Sequence, residues 1–137
     1  MKRQKIKHCP PILLIDAIVH GMQAKKAEQI SIINLAQAGS AMAAYLVLCT
    51  AQAKRQVEAI AEEVIGTGYR QTGQRPWKQE GMENQEWVLL DYVDVVAHIF
   101  YGDKRDLYAL DTLWGDMAIT HVDDIGPMHP ATYASSS

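Results

Sequence analysis

The sequence predicts an α/β domain, and three observations carry that prediction. Two stretches repeat apolar residues at helical spacing: Leu14, Ile15, Ile18, Val19 and Met22 in one, Val57, Ile60, Ala61, Val64 and Ile65 in the other. Between them, "EQISIINL" alternates as a strand does. The run "AAYLVLCT", Ala43 to Thr50, holds so little polar content that it suits a central strand covered on both faces. Strand and helix in alternation are the ingredients of layered α/β folds.

The elements follow in order. The first helix opens after Pro10 and Pro11 and is expected over 12–27, despite Gly21. The strand after it places Ile30, Ile32 and Asn34 on one side and Ser31, Ile33 and Leu35 on the other. A loop, "AQAGSA", leads to the apolar strand. The second helix, 53–69, turns Lys54, Arg55, Glu58, Glu62 and Glu63 outward, a face of mixed sign that suits solvent. "RPWKQEG" reads as a short strand ending in a turn at Gly81, and "MENQE" as a loop.

"EWVLLDYVDVVAHIF", Glu86 to Phe100, is too long for one average strand. It divides into an arm at Trp87 to Leu90, a tight reversal around Asp91 to Asp94, and a second arm at Val95 to Phe100. Aspartates favour such a reversal because their carboxylates accept hydrogen bonds from nearby amides. Val93 conflicts with it, since hairpin turns often need positive φ and a β-branched residue resists that. Either the turn is of another type or Val93 is strained. Asp103 can cap a last helix, "KRDLYALDTLWGD", whose Leu107, Leu110, Leu113 and Trp114 form an apolar stripe ended by Gly115. No periodicity follows Met117. One domain over 1–116 and a C-terminal tail over 117–137, without regular structure, are therefore expected.

Composition narrows the function classes. The 137 residues suit one domain, with 48% hydrophobic and 21% charged residues, the profile of an ordinary globular chain. Cys9 and Cys49 form no Cys-x-x-Cys pair, so neither a disulfide framework nor a zinc site is signalled. The basic opening lacks an export cleavage site, no run suffices to span a membrane, and a cytoplasmic setting is expected. A formal charge of −3 argues against a nucleic-acid groove and for a protein partner, with no direct nucleic-acid readout.

Asp91 and Asp94 could be paired metal ligands, but two carboxylates without a third partner seldom hold magnesium, and turn formation with an acidic patch explains them. His98 could be a general base, yet no serine sits in an activated context, which leaves a structural or interface histidine. His121 and His129 with Asp123 and Asp124 match no ligand spacing. No metal, cofactor or catalytic residue is therefore expected. Trp77, Trp87, Arg105 and Tyr108 are of the types enriched among binding hot spots, while Trp114 suits a core. Glu80 and Gly81 form a turn and can offer a carboxylate to a basic partner.

The blocks "KKAEQISIINL", "SAMAAYLVLCT" with "RQVEAIAEEV", "WVLLDYVDVVAHIF" and "RDLYALDTLWGD" resemble, in order and spacing, the Iojap-like ribosomal silencing factors. The likeness runs from Lys25 to Asp116, about two-thirds of the chain. It implies a mixed sheet of about five strands flanked by helices, distantly nucleotidyltransferase-like, in a protein often homodimeric. It also implies binding to the large ribosomal subunit through the ribosomal protein numbered fourteen, hindering small-subunit joining, with partner-binding residues among Trp77, Glu80, Gly81, Trp87, Asp91, Asp94, His98, Arg105 and Tyr108. A large-subunit assembly factor and a nucleotidyltransferase-fold enzyme are the alternatives. Val93 and Ala51 stand where the family has glycine, Asn34 and Ala44 where it has aspartate, and Asp111 where it has glutamate.

Overall fold

The computed structural model describes residues 10–35, 44–102 and 118–122. Its first helix, α1, spans Pro11–Ala24. Proline at the first helical position is tolerated because that N–H has no intrahelical partner, and Leu13 N–H donates to the Pro10 carbonyl at 3.0 Å. The helix stops about a turn short of the expected end, where Lys26 takes a positive φ of 62°. The second helix, α2, spans Lys54–Thr72 and runs past the expected end until Gly73, whose N–H donates to the Tyr69 carbonyl at 2.8 Å.

Among the described residues there are six strands, β1 (Glu28–Asn34), β2 (Tyr45–Ala51), β3 (Lys78–Glu80), β4 (Trp87–Asp91), β5 (Val95–Tyr101) and β6 (Ala118–His121). They lie in the order β3-β4-β5-β2-β1-β6. β2 and β5 are parallel and every other neighbouring pair is antiparallel, so the sheet is mixed. β6 is a correction to the expected tail. It pairs with β1 from Ser31 opposite His121 to Asn34 opposite Ala118, and four residues are too few to display a periodicity. β1 also holds a bulge: between Glu28 and Ser31 it spends one residue more than β2, and Gln29 there has φ 53°.

Strand alternation divides the core between the two faces of the sheet. Ile30 and Ile32 join Val47, Cys49, Val88, Leu90, Val95, Ala97 and Ile99 against the apolar faces of α1 and α2. Ile33 and Leu35 join Leu46, Leu48 and Phe100 on the opposite face. The split expected within "EQISIINL" is therefore the split between the two halves of the core.

The two helices come into close contact at Gly21. A Cβ added there would lie 2.8 Å from Val64 Cα and 3.1 Å from its N, both backbone atoms that cannot swing aside. Gly66 differs, because its added Cβ meets only the flexible Arg70 side chain, at 3.2 Å. Gly21→Ala should lower unfolding free energy, since overpacking of about 1–3 kcal/mol exceeds the roughly 1 kcal/mol that alanine gains in helix propensity. Gly66→Ala should raise it by about 0.5–1 kcal/mol. Urea unfolding of the two variants beside the parent checks both signs.

Candidate functional site

Glu86 to Phe100 folds as the expected hairpin, with Trp87 opposite Phe100 and Asp91 opposite Val96. At its tip, Tyr92 N–H donates to the Val95 carbonyl at 2.8 Å and Asp94 N–H donates to the Tyr92 carbonyl at 3.1 Å. Val93, between them, has φ 81°. A hydrogen bond across three residues with a positive-φ centre is a γ-turn, a rare and strained form. Both readings of Val93 thus hold together: the turn is unusual, and the residue is strained within it. Asp91 Oδ1 accepts from Val93 N–H at 2.7 Å and secures the strained peptide.

Backbone bonds fasten this tip on both sides. The Asp91 carbonyl accepts from Trp77 N–H at 2.9 Å, while the Asp94 carbonyl accepts from Ala44 N–H at 2.9 Å and Tyr45 N–H at 3.1 Å. Asp91 is half-buried and acts as a turn former, whereas Asp94 is exposed. Among the described residues, no group of three or more His, Cys, Asp or Glu gathers where it could hold a metal ion.

Register places four of the nine candidate residues, Glu80, Trp87, Asp91 and His98, on one face of the sheet. Glu80, Leu89, His98 and Leu48 are successive partners across β3, β4, β5 and β2, and Lys78, Asp91, Val96 and Leu46 make a second row. Trp87 and Phe100 complete the same face. Glu80 is exposed and bridged to Lys78 at 3.1 Å. Lys78 and Leu89 were not singled out from the sequence, although each alternates with a residue that was: Leu89 stands two positions from both Trp87 and Asp91.

Trp87 Nε1–H donates to His98 Nδ1 at 3.0 Å. Indole can only donate, so Nδ1 carries no proton and the His98 proton sits on Nε2. The rings of Trp87, His98 and Phe100 stack, with centroids 5.5 to 6.1 Å apart. His98 is buried, and desolvation pushes its pKa down from 6.5 to about 4. It is therefore neutral at physiological pH and built into the sheet face. It holds the half-buried Trp87 in place.

Gly81 also has a backbone role. Its φ is 86°, and an added Cβ would collide with the Trp87 carbonyl oxygen. Trp77 is 58% exposed and stands at the start of β3, apart from the stacked rings. Arg105, Tyr108 and the helix expected around them lie outside the described residues. The surface this site offers is therefore a ridge of exposed Lys78, Glu80 and Asp94 beside half-buried Trp87, Leu89 and Asp91. Acidic, basic and aromatic groups on a rigid sheet edge suit recognition of another macromolecule.

The family model described as "Ribosomal silencing factor during starvation" matches residues 9–137. A protein of Halalkalibacterium halodurans named ribosomal silencing factor RsfS is 35% identical over 112 residues, covering 82% of this chain and 94% of its own length. The Bacillus subtilis protein of the same name is 36% identical over 99 residues, covering 72% of this chain and 82% of its own. Among solved structures, a crystal structure of a protein from Chromobacterium violaceum superposes with a TM-score of 0.69 at 27% identity, covering 74% of this chain and 83% of that one.

Two measurements check the geometry. Replacing Val93 with glycine should raise unfolding free energy by about 1 kcal/mol, because about 1–3 kcal/mol of backbone strain is relieved and part is offset by glycine's greater freedom when unfolded; denaturant midpoints decide it. His98 makes stability pH-dependent with a definite sign. The unfolded chain takes up this proton below pH 6.5 and the folded chain only near pH 4, so stability is complete above 6.5 and declines between those values. The slope from this one residue approaches about 1.4 kcal/mol per pH unit, or roughly 3 kcal/mol over the interval. His98→Asn should flatten the urea-unfolding profile over that interval by the same amount.

Proposed function

From membership of the ribosomal silencing factor (RsfS) family, the Iojap-like family to which this chain belongs, we propose that it represses translation by mutual exclusion. The protein binds the large ribosomal subunit through the ribosomal protein numbered fourteen, and its bulk occupies space the small subunit needs. The observation that carries this reading is the shared face: Glu80, Trp87, Asp91 and His98 come from three strands to one side of the sheet. Glu80 and Asp94 supply the charged contacts, Trp87 and Leu89 the apolar centre, and His98 and Gly81 hold the backbone and indole in position. Such an arrangement has the composition of an interface, with aromatic anchors surrounded by polar groups.

Exclusion requires no chemistry at the site. Occupancy of the separated subunit draws the joining equilibrium apart by mass action, in proportion to how far the factor's concentration exceeds its dissociation constant. Among the described residues, no helix is long and apolar enough to cross a membrane. The protein works in the cytoplasm with the ribosomes it silences, and Arg105 and Tyr108 extend the same contact. It acts as a homodimer.

Purified large subunits provide the test. Saturating protein should slow association with small subunits, followed by light scattering, and should co-sediment with large subunits alone. Glu80→Lys combined with Asp94→Lys reverses two exposed charges and should weaken co-sedimentation at least about tenfold, a loss of roughly 1.4 kcal/mol, with an unchanged melting curve. Subunits that join at normal speed in saturating protein would sink the mechanism. Full binding by the double variant would move the site elsewhere.

A further inference from the structure

The hairpin tip of Tyr92, Val93 and Asp94 carries two costs that reversing the chain does not require. Val93 holds φ 81°, a conformation that a β-branched residue resists. Tyr92 is only 6% exposed, and its hydroxyl is buried without a hydrogen-bond partner among the described residues. Asp91 beside the tip and Asp94 within it belong to the surface proposed for silencing. The Tyr92 ring points away from that surface and joins the core cluster packed under α1 and α2.

The surroundings of the phenol explain why it stays unmet. A Cβ added to Gly68 of α2 would lie 3.6 Å from the Tyr92 oxygen, 3.8 Å from Leu14 Cδ1 of α1 and 3.9 Å from the Gln74 carbonyl oxygen. The ring therefore fits, while its hydroxyl ends beside groups that do not bond it. The ends of the tip are tied down: the Asp91 carbonyl accepts from Trp77 N–H, and the Asp94 carbonyl accepts from Ala44 and Tyr45 N–H. A return of Val93 to negative φ turns the chain on its Tyr92 side relative to its Asp94 side. With both ends held, Tyr92 is the side chain that this change moves. Burial of the ring favours the closed tip, whereas backbone strain and the unmet hydroxyl favour an open one. These terms are of similar size, so the two arrangements lie close in free energy.

We propose that the tip is a latch at the silencing surface: on docking, Tyr92 leaves the helices, swings out beside Asp94 and becomes an aromatic anchor against the partner protein. The inference rests on the silencing function proposed above and deepens it. Tyrosine is enriched at protein interfaces because it brings a large apolar ring together with a hydroxyl that finds a partner there. Docking thus satisfies the group that the closed tip leaves unmet, and it frees Val93 from its strained conformation. Only the open fraction of the free protein is ready to dock, so a change that favours the closed tip lowers affinity by the factor it removes from that fraction.

Tyr92→Phe separates a latch from a fixed tip, since it keeps the ring and removes only the unmet hydroxyl. In the full-length protein it should raise the urea-unfolding midpoint, as loss of an unpaired buried group does. It should also weaken co-sedimentation with purified large subunits at least about fivefold, the lower end for one unmade buried bond. In the free protein, hydrogen exchange of the Asp94 amide, followed by NMR, should slow at least about fivefold, because that exchange passes through the open tip. Val93→Gly removes the other cost of the closed tip and should weaken co-sedimentation in the same direction. Equal or tighter binding by Tyr92→Phe, or an Asp94 amide whose exchange it leaves unchanged, would overturn the latch. A parent protein that does not bind large subunits would end the silencing reading and Tyr92's docking role with it, whereas equal binding by parent and variant would end the latch alone.

Discussion

The parallel pairing of β5 with β2 is the constraint on which the rest of the structure depends. Parallel neighbours cannot be joined by a tight turn, so the chain must cross over between them. Here the crossover holds α2, which covers one face of the sheet, and then β3 and β4, which return along the free edge of β5. β5 is thereby flanked on both sides, with His98 between Leu48 and Leu89. A slip of one residue would exchange every side chain between faces. His98 would then enter the helix-covered core in place of Ala97 or Ile99, where no indole N–H meets its ring.

That fixed register explains why Trp87 and Tyr92 of the hairpin differ in role. Trp87 is half-buried because its ring is engaged on one side by His98 and Phe100 and its only donor is used internally. Its remaining edge is held rigidly, and a rigid edge binds at less entropic cost than a mobile side chain. Tyr92, at the hairpin tip, turns the other way. Its hydroxyl is buried without a hydrogen-bond partner among the described residues, and an added Cβ on Gly68 would sit 3.6 Å from it. Burial raises its pKa, so the phenol remains neutral, and the missing bond costs about 1–3 kcal/mol. Strain at Val93 and the unsatisfied Tyr92 are adjacent, and the bonds from Asp91 and Asp94 to neighbouring backbone hold that costly tip in place.

Much of this architecture was legible in the sequence because it rests on periodicity. The two faces of β1, the apolar stripes of α1 and α2, and the division of Glu86 to Phe100 into two arms all appear with the expected side chains inward. Helix ends were less legible, since Lys26 and Gly73 stop α1 and α2 through backbone conformation rather than through pattern. β6 escaped because four residues pairing with a distant strand leave no local signature. The candidate site was legible in its residue types and only partly in its roles. Asp91 was legible as a turn former, its carboxylate accepting the Val93 amide as expected, whereas the demand for Gly81 by the nearby Trp87 carbonyl and the Trp87–His98 bond were not. Those roles depend on contacts between strands, which spacing along one chain does not encode.

A silencing mechanism based on exclusion has an energetic consequence for where binding contacts can lie. Only the fraction of subunits occupied matters, so any contact that adds residence time contributes, provided it leaves the blocking bulk in place. A chain with net negative charge is repelled by a polyanion, and uniform electrostatic adhesion to one is therefore closed to it. Discrete patches on a rigid frame remain open. Once one patch has docked, a second meets its target as an intramolecular event, and its modest affinity is multiplied by the effective concentration that the frame sets. The sheet keeps Glu80, Trp87, Asp91 and His98 on one face, so charged and aromatic groups from three strands are presented together without the entropic cost of gathering them.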